Sequence, residues 1–214
     1  MRLRRLSYGR GVLSSWRPPV PCISVGNIAW GGSGKTPLCA WLLDRLAGRG
    51  LKPALLTRGY KARPPTTPFL VTPESSPSQA GDEPLLLARS CPGATVLVDP
   101  DRARAGAWAV SHLAPDVFVL DDAFQHLAGA RDIDLVLLRP QDLTSEWDRV
   151  VPAGSWREGR SALGAASAFL VNCDPHQFHD LQPVVKERLG TFALPVFSMH
   201  LEATGCLDKA GRPI

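Results

Sequence analysis

The residues with the clearest chemistry lie in one stretch, Val25-Gly-Asn-Ile-Ala-Trp-Gly-Gly-Ser-Gly-Lys-Thr-Pro37. Glycines in such a run let the backbone curl until several N–H groups face one anion. A helix starting at the far end adds the partial positive charge of its N-terminus. Lys35 supplies a cation that can reach outer phosphates, and Thr36 a hydroxyl that can ligate Mg²⁺. The pattern departs from the usual P-loop at Ala29, where a glycine is the norm, and Gly31 and Gly32 supply flexibility closer in. The plain alternative is a glycine-rich turn that merely caps a helix. On the phosphate reading, the nucleotide-binding candidates are Ala29, Trp30, Gly31, Gly32, Ser33, Gly34, Lys35 and Thr36.

A second chemical signal is Asp116-Val-Phe-Val-Leu-Asp121-Asp122, an apolar run that ends in two carboxylates. A buried parallel strand of this kind delivers its terminal acid to a metal beside a P-loop. Thr36, Asp121 and Asp122 are therefore the candidate metal ligands, against the alternative that paired acids simply begin a turn. Gln125 and His126 follow closely enough to reach the same place, although a lone histidine is more often structural. Other acids and cations sit where strands end or helices begin. They are Arg58 in Arg58-Gly59-Tyr60-Lys61, Asp82 in Gly81-Asp82-Glu83-Pro84, and Asp99 and Asp101 in Asp99-Pro100-Asp101-Arg102. For the acids among these, the readings are helix cap or site residue. Arg157 and Glu158 form either a surface pair or a cation and an acid presented to a phosphorylated ligand.

These groups need a scaffold, and the apolar pattern supplies one. Strands are expected at Cys22 to Val25, Pro53 to Thr57, Thr95 to Val98, within Asp116 to Asp122, and at Ile133 to Leu138, Ser167 to Asn172 and Leu194 to Met199. Helices fall between them. Leu38, Trp41, Leu42 and Leu46 recur on one face of the first, which Gly48 and Gly50 end. Asp82 reads as an N-cap with Pro84 in the first turn, a helix runs from Ala103 to Leu113, the turn at 151–158 enters a helix through Leu163, and Asp174-Pro175 opens a helix through Val184 to Leu189. Residues 61–80 form a long loop, with a small hairpin around Phe69 to Val71. Alternating strands and helices predict an α/β fold, a mostly parallel sheet flanked by helices on both faces, P-loop NTPase-like. Right-handed crossovers would gather the candidate residues on the rim at the strands' C-terminal ends.

Composition sets outer bounds. The chain has 214 residues, 44% hydrophobic and 21% charged, with net charge +4. Those are globular values, and the mild positive balance suits an anionic ligand or membrane surface and calls for no nucleic acid. The five cysteines are scattered and form no C-x-x-C pair, which fits a reducing compartment better than a disulfide framework or zinc site. No run approaches the roughly 18 apolar residues of a membrane span. Residues 1–20 mix arginines with Leu3, Leu6, Val12, Leu13 and Trp16. They read either as a basic amphipathic, membrane-proximal segment or as a solvated tail, with residues 21–214 as the nucleotide-binding domain.

Six ordered motifs go beyond a generic P-loop. They are Pro19 to Pro37, Thr57-Arg-Gly-Tyr60, Gly81-Asp-Glu-Pro-Leu-Leu-Leu-Ala88, Asp121-Asp-Ala-Phe-Gln-His126, Ala130-Arg-Asp-Ile-Asp134 and Pro152-Ala-Gly-Ser-Trp-Arg-Glu158. Together they resemble the lipid A tetraacyldisaccharide 4'-kinases. The resemblance implies ATP-dependent phosphorylation of the 4'-hydroxyl of a disaccharide lipid precursor, with Mg²⁺, at the cytoplasmic face of the bacterial inner membrane. It implies that Ala29 to Thr36 hold ATP, that Lys35 is catalytic, that Asp121 or Asp122 serves the metal, and that Asp101 is the general base. Gln125, His126, Arg157 and Glu158 match further motif positions near the site. The chain departs from the family at Lys61 and Ala123, where glycine is usual, and at Ser155, where proline is usual. Family members are also longer at both ends, with an N-terminal membrane helix and a C-terminal lobe, so the chain reads as a shortened or degenerate member. The competing expectations are a P-loop NTPase switch without a lipid acceptor, a kinase of a soluble sugar or nucleoside, and an inactive nucleotide-binding remnant.

Overall fold

The computed structural model describes residues 15–126, 128–202 and Gly205. Among these described residues eight strands form one sheet: β1 (Cys22–Asn27), β2 (Pro53–Thr57), β3 (Phe69–Val71), β4 (Thr95–Val98), β5 (Val117–Asp121), β6 (Ile133–Leu138), β7 (Ala168–Asn172) and β8 (Val196–Met199). Their order is β3-β4-β2-β5-β1-β6-β7-β8. Every neighbouring pair is parallel except β3 with β4. The short piece at Phe69 is thus an antiparallel edge strand on β4 rather than a hairpin of its own.

Period-two alternation divides the core between the sheet's faces. Leu55 of β2 and Val119 of β5 face one side, where α1 (Lys35–Ala47) and α3 (Asp82–Ser90) cover them with Leu38, Cys39, Leu43, Leu85 and Leu87. Ala54, Leu56, Phe118 and Leu120 face the other side and meet α4 (Arg102–Leu113) through Ala105 and Ala109. A third cluster joins β6 and β7 to α5 (Pro140–Leu143) and α6 (Pro175–Leu189) around Trp156, Phe169 and Leu189. The remaining α-helix, α2 (Pro77–Ala80), is a single turn. With helices on both faces, neither side of the parallel sheet is left to water.

Three expectations are corrected. On α1 the buried stripe is Leu38, Cys39 and Leu43, while Trp41 is exposed with Arg45 over its ring. The buried face therefore turns toward Cys39, which packs in the same cluster as β5 Val119. After Gly154 no α-helix forms; a 3₁₀ helix spans Arg160–Ala165. Residues 155–157 instead lie across the glycine-rich turn that follows β1, with bridges Ala29–Trp156 and Val150–Trp156. The N-cap of α3 is Gly81 and not Asp82, which is the first helical residue and makes no cap bond. Of the segment 1–20, residues 1–14 lie outside the described residues. By Trp16 the chain already packs on the protein, with its ring edge-on to Phe118 at 5.8 Å.

Candidate active site

The turn between β1 and α1 occupies the sheet's C-terminal rim. Gly31 and Gly34 have φ of +103° and +92°, left-handed values that side-chain-bearing residues rarely adopt. Gly34 is the N-cap of α1 and contributes no side chain there, so the first helical amides face the loop unoccupied by a cap. Ala29 is buried and anchored by its bridge to Trp156. Trp30 N donates to Ser155 O at 2.8 Å, and Arg157 N donates to Ile28 O at 2.7 Å. The loop's first half is thus stapled by the segment 155–157, which carries Arg157.

Five residues converge at the centre of this rim. Lys35 Nζ lies 3.3 Å from Asn27 Oδ1 and 3.5 Å from Asp122 Oδ1. Arg157 donates to both oxygens of Asp122 at 3.2 Å and to Gln125 Oε1 at 3.3 Å, and its guanidinium covers the Trp30 ring. Gln125 Nε2 donates to Asn27 O at 2.8 Å. Burial works against the charge on Asp122, but Lys35 and Arg157 outweigh it and hold the carboxyl below its ordinary range. Asp122 also has φ of +46°, an uncommon conformation that places its carboxylate between the two cations.

Asp121 behaves oppositely. It is buried at the end of β5, and desolvation raises its pKa against the opposing bond from Thr57 Oγ1 at 2.9 Å. Its Oδ1 is buried without a hydrogen-bond partner among the described residues, as is Ser33 Oγ in the loop. Behind it Arg102 is almost wholly buried and donates to Asp121 O at 2.8 Å, and burial lowers its pKa to about 10. An orphaned carboxylate oxygen at the strand's end fits a hard cation. No group of three or more His, Cys, Asp or Glu among the described residues could hold a metal alone. A cation held through Thr36 and Asp121 would thus draw its other ligands from phosphate and water.

The remaining candidates are placed as follows. Asp101 is the N-cap of α4: Ala103 N and Arg104 N donate to its Oδ1 at 2.9 and 3.1 Å. Asp99 is fully buried and gripped by the Arg104 fork at 2.7 and 2.8 Å. Arg58 follows β2 on the same rim, close enough to Arg102 to disfavour that residue's charge. Glu158 is buried beside Arg157 in sequence, and His126 O accepts from Arg131 at 2.6 Å. The family departures also have physical sense. Lys61 adopts φ of +60°, which glycine would adopt more easily. Ser155 N donates to Glu146 Oε2 at 2.7 Å, a bond that proline could not make.

Four residues escaped the sequence reading. Asn27 links Lys35 to the loop, Thr57 holds Asp121, and Asn172 Nδ2 donates to Ser33 O at 3.1 Å. Arg139 is clamped by buried Asp142 and lies against Gly31. All four stand at or just past strand ends, so the rule that ligands gather on that edge was the available signal.

Comparison with known proteins adds an independent line. Residues 1–213 match the family model described as LpxK: Tetraacyldisaccharide-1-P 4'-kinase. The tetraacyldisaccharide 4'-kinase of Oleidesulfovibrio alaskensis is 56% identical over 99% of this chain and 59% of its own length. That of Nitratidesulfovibrio vulgaris is 54% identical over 99% of this chain and 60% of its own length. The chain therefore spans about three fifths of these two relatives. Among solved structures, LpxK from Aquifex aeolicus in complex with ATP superposes with a TM-score of 0.72 at 27% identity, covering 99% of this chain and 81% of that one.

Proposed function

The chain belongs to the tetraacyldisaccharide-1-P 4'-kinase family, and from that premise we propose that it transfers the γ-phosphate of ATP to the 4'-hydroxyl of a tetraacyldisaccharide 1-phosphate lipid precursor. The observation that carries the reading is the meeting of Lys35, Asp122 and Arg157 at a glycine turn that also opens α1. Phosphoryl transfer asks the protein for position and charge neutralisation more than for covalent chemistry. The loop amides from Gly31 to Thr36 and the Lys35 amine hold the β- and γ-phosphates. Phosphate oxygens replace Asp122 as the partner of Lys35, and Arg157, held on the far side of Asp122 and over Trp30, stays within reach of the transferring group. Gln125 fixes Arg157 and Asn27 in register. Thr36 and Asp121 would hold Mg²⁺, which would neutralise the charge building on the phosphates.

The acceptor hydroxyl must lose a proton to a carboxylate within hydrogen-bond reach. Asp101 and Asp82 are the two candidates on this rim. Asp101 already accepts two helix amides, whereas Asp82 makes no cap bond. Glu83, next to Asp82, sits near enough to Asp121 to act on its charge. These relations favour Asp82 over Asp101 as the base.

The acceptor is a membrane lipid, and ATP is cytoplasmic. The reading therefore places the chain at the cytoplasmic face of the inner membrane, with the arginines of residues 1–20 against anionic headgroups. Among the described residues no helix is long and apolar enough to cross a membrane.

The test is transfer of labelled γ-phosphate from ATP to the tetraacyldisaccharide 1-phosphate in mixed micelles, with Lys35→Ala alongside. Labelled lipid from the wild type and none from the variant supports the reading. ATP consumption without any need for acceptor replaces it with an NTPase switch, and undiminished transfer by Lys35→Ala removes the phosphate assignment.

A further inference from the structure

Resting on the ATP-kinase reading, we propose that the C-terminal ends of β7 and β8 seat the nucleotide's base through Asn172 and Met199, and that the Asn172 carboxamide selects adenine over guanine.

Sheet order supplies the direction. The paired acids Asp121 and Asp122 come from β5, on one side of the P-loop strand β1, and β6, β7 and β8 lie on the other. A triphosphate whose outer end meets Lys35 beside Asp122 has its nucleoside end directed away from β5, over the start of α1 and toward β7 and β8.

Two side chains line that end. The β7–β8 register pairs Asn172 with Met199, so they are neighbours on the same face of the sheet. Both lie directly against the last turn of the loop. A Cβ on Gly34 would fall 2.8 Å from Asn172 Nδ2 and 2.9 Å from Met199 Cε. Both are half-buried, in contact with the loop and open to the rim.

The chemistry of the pair then narrows the ligand. Asn172 Nδ2 donates one N–H to Ser33 O at 3.1 Å and keeps the other, so the carboxamide offers Oδ1 as an acceptor with that N–H beside it, the pair that matches the exocyclic amine and N7 of adenine. Adenine presents an exocyclic amine to such an acceptor. Guanine presents a carbonyl at the equivalent position, and two acceptors facing each other leave both unpaired. The Met199 thioether is a soft, polarizable surface suited to a purine face. Asn172 would therefore brace the phosphate loop at one end of its amide and read the base at the other.

The experiment is calorimetric titration of ATP, GTP and inorganic tripolyphosphate into the wild-type chain, Asn172→Leu and Met199→Ala. Wild type should prefer ATP to GTP by about tenfold or more, the value of one discriminating hydrogen bond. Asn172→Leu should bring the two nucleotides within about twofold of each other, whatever it does to tripolyphosphate. Met199→Ala should weaken ATP by roughly threefold to tenfold and leave tripolyphosphate unchanged. Equal weakening of all three ligands by Asn172→Leu, or no change in ATP binding by Met199→Ala, overturns the base seat while leaving the kinase reading intact. A wild-type chain that binds neither ATP nor tripolyphosphate overturns both.

Discussion

Lys35 Nζ lies 3.5 Å from Asp122 Oδ1, so the cation meant for phosphate is held by the acid at the end of the neighbouring strand. On the proposed function, nucleotide binding at this site would be an exchange of anions around one amine. Asp122→Asn should act in two opposite directions. Without Mg²⁺, ATP should bind several-fold more tightly, because Lys35 and Arg157 are no longer neutralised by a carboxylate. Phosphoryl transfer should fall by about tenfold or more, because Arg157 loses the partner that aims it. Calorimetry without metal and the lipid-kinase assay read the two effects separately, and weaker ATP binding by the variant would contradict the exchange.

Arg157 Nη1 contacts Asp122 and Gln125 while the planar guanidinium lies over the Trp30 ring, a stacked contact that a compact ammonium does not reproduce. Arg157→Lys should therefore recover little of the activity lost in Arg157→Ala, which should be about tenfold to 100-fold. The check is kcat for both variants with saturating ATP. Full rescue by lysine would reduce Arg157 to a point charge.

Asp101 and Asp82 should separate cleanly. Asp101→Ala removes an N-cap and should cost about 1 kcal/mol of stability, whereas Asp101→Asn keeps the cap and should be nearly neutral. Asp82→Asn should leave thermal unfolding unchanged and depress turnover. Loss of turnover in Asp101→Asn with normal stability would restore Asp101 as the base.

Lys61 occupies the left-handed region at φ of +60°. Lys61→Gly should relieve that strain and, after the extra freedom glycine has when unfolded, stabilise the chain by about 0.5–1 kcal/mol. An increase in thermal midpoint checks this, and a decrease would show that Lys61 contributes contacts worth more than the strain.

Cys22 is buried in β1, and burial followed by the charge of Asp132 pushes its thiol from 9.0 up to about 12. Below about pH 9 the thiol is protonated in folded and unfolded chains alike, so it adds no pH dependence. Between 9 and 12 only the unfolded chain loses the proton, and stability from this group must fall as pH rises. Denaturant midpoints measured across that range should decline, and Cys22→Ala should flatten the decline. An identical slope in the variant would assign it to other groups.

Much of the fold was legible because the sheet is buried on both faces. Pro53–Thr57 and Thr95–Val98 are continuous apolar or β-favouring runs, Ile133–Leu138 is one broken only by Asp134, and their bounds coincide with β2, β4 and β6. Reading failed where local signals were ambiguous. Trp41 fits the helical stripe of α1 by spacing, yet one residue of rotation put Cys39 inside and Trp41 outside. Asp82 and Asp101 each precede a helix pattern, and their types do not reveal which one caps. Only backbone geometry distinguishes the Gly81 start of α3 from the Asp101 start of α4.

The sequence by itself determined the alternation of strands and helices, the glycine turn with Lys35 and Thr36, and the acids that end β5. Those features depend on residues close together in the chain, where periodicity and turn chemistry act. Tertiary structure alone decided that Arg157 would meet Asp122, that residues 155–157 would staple the loop's first half, and that Asn172 would hold Ser33. Those contacts join segments far apart in the chain. They are set by strand order and by the volume of buried side chains such as Trp156, and no local pattern records either.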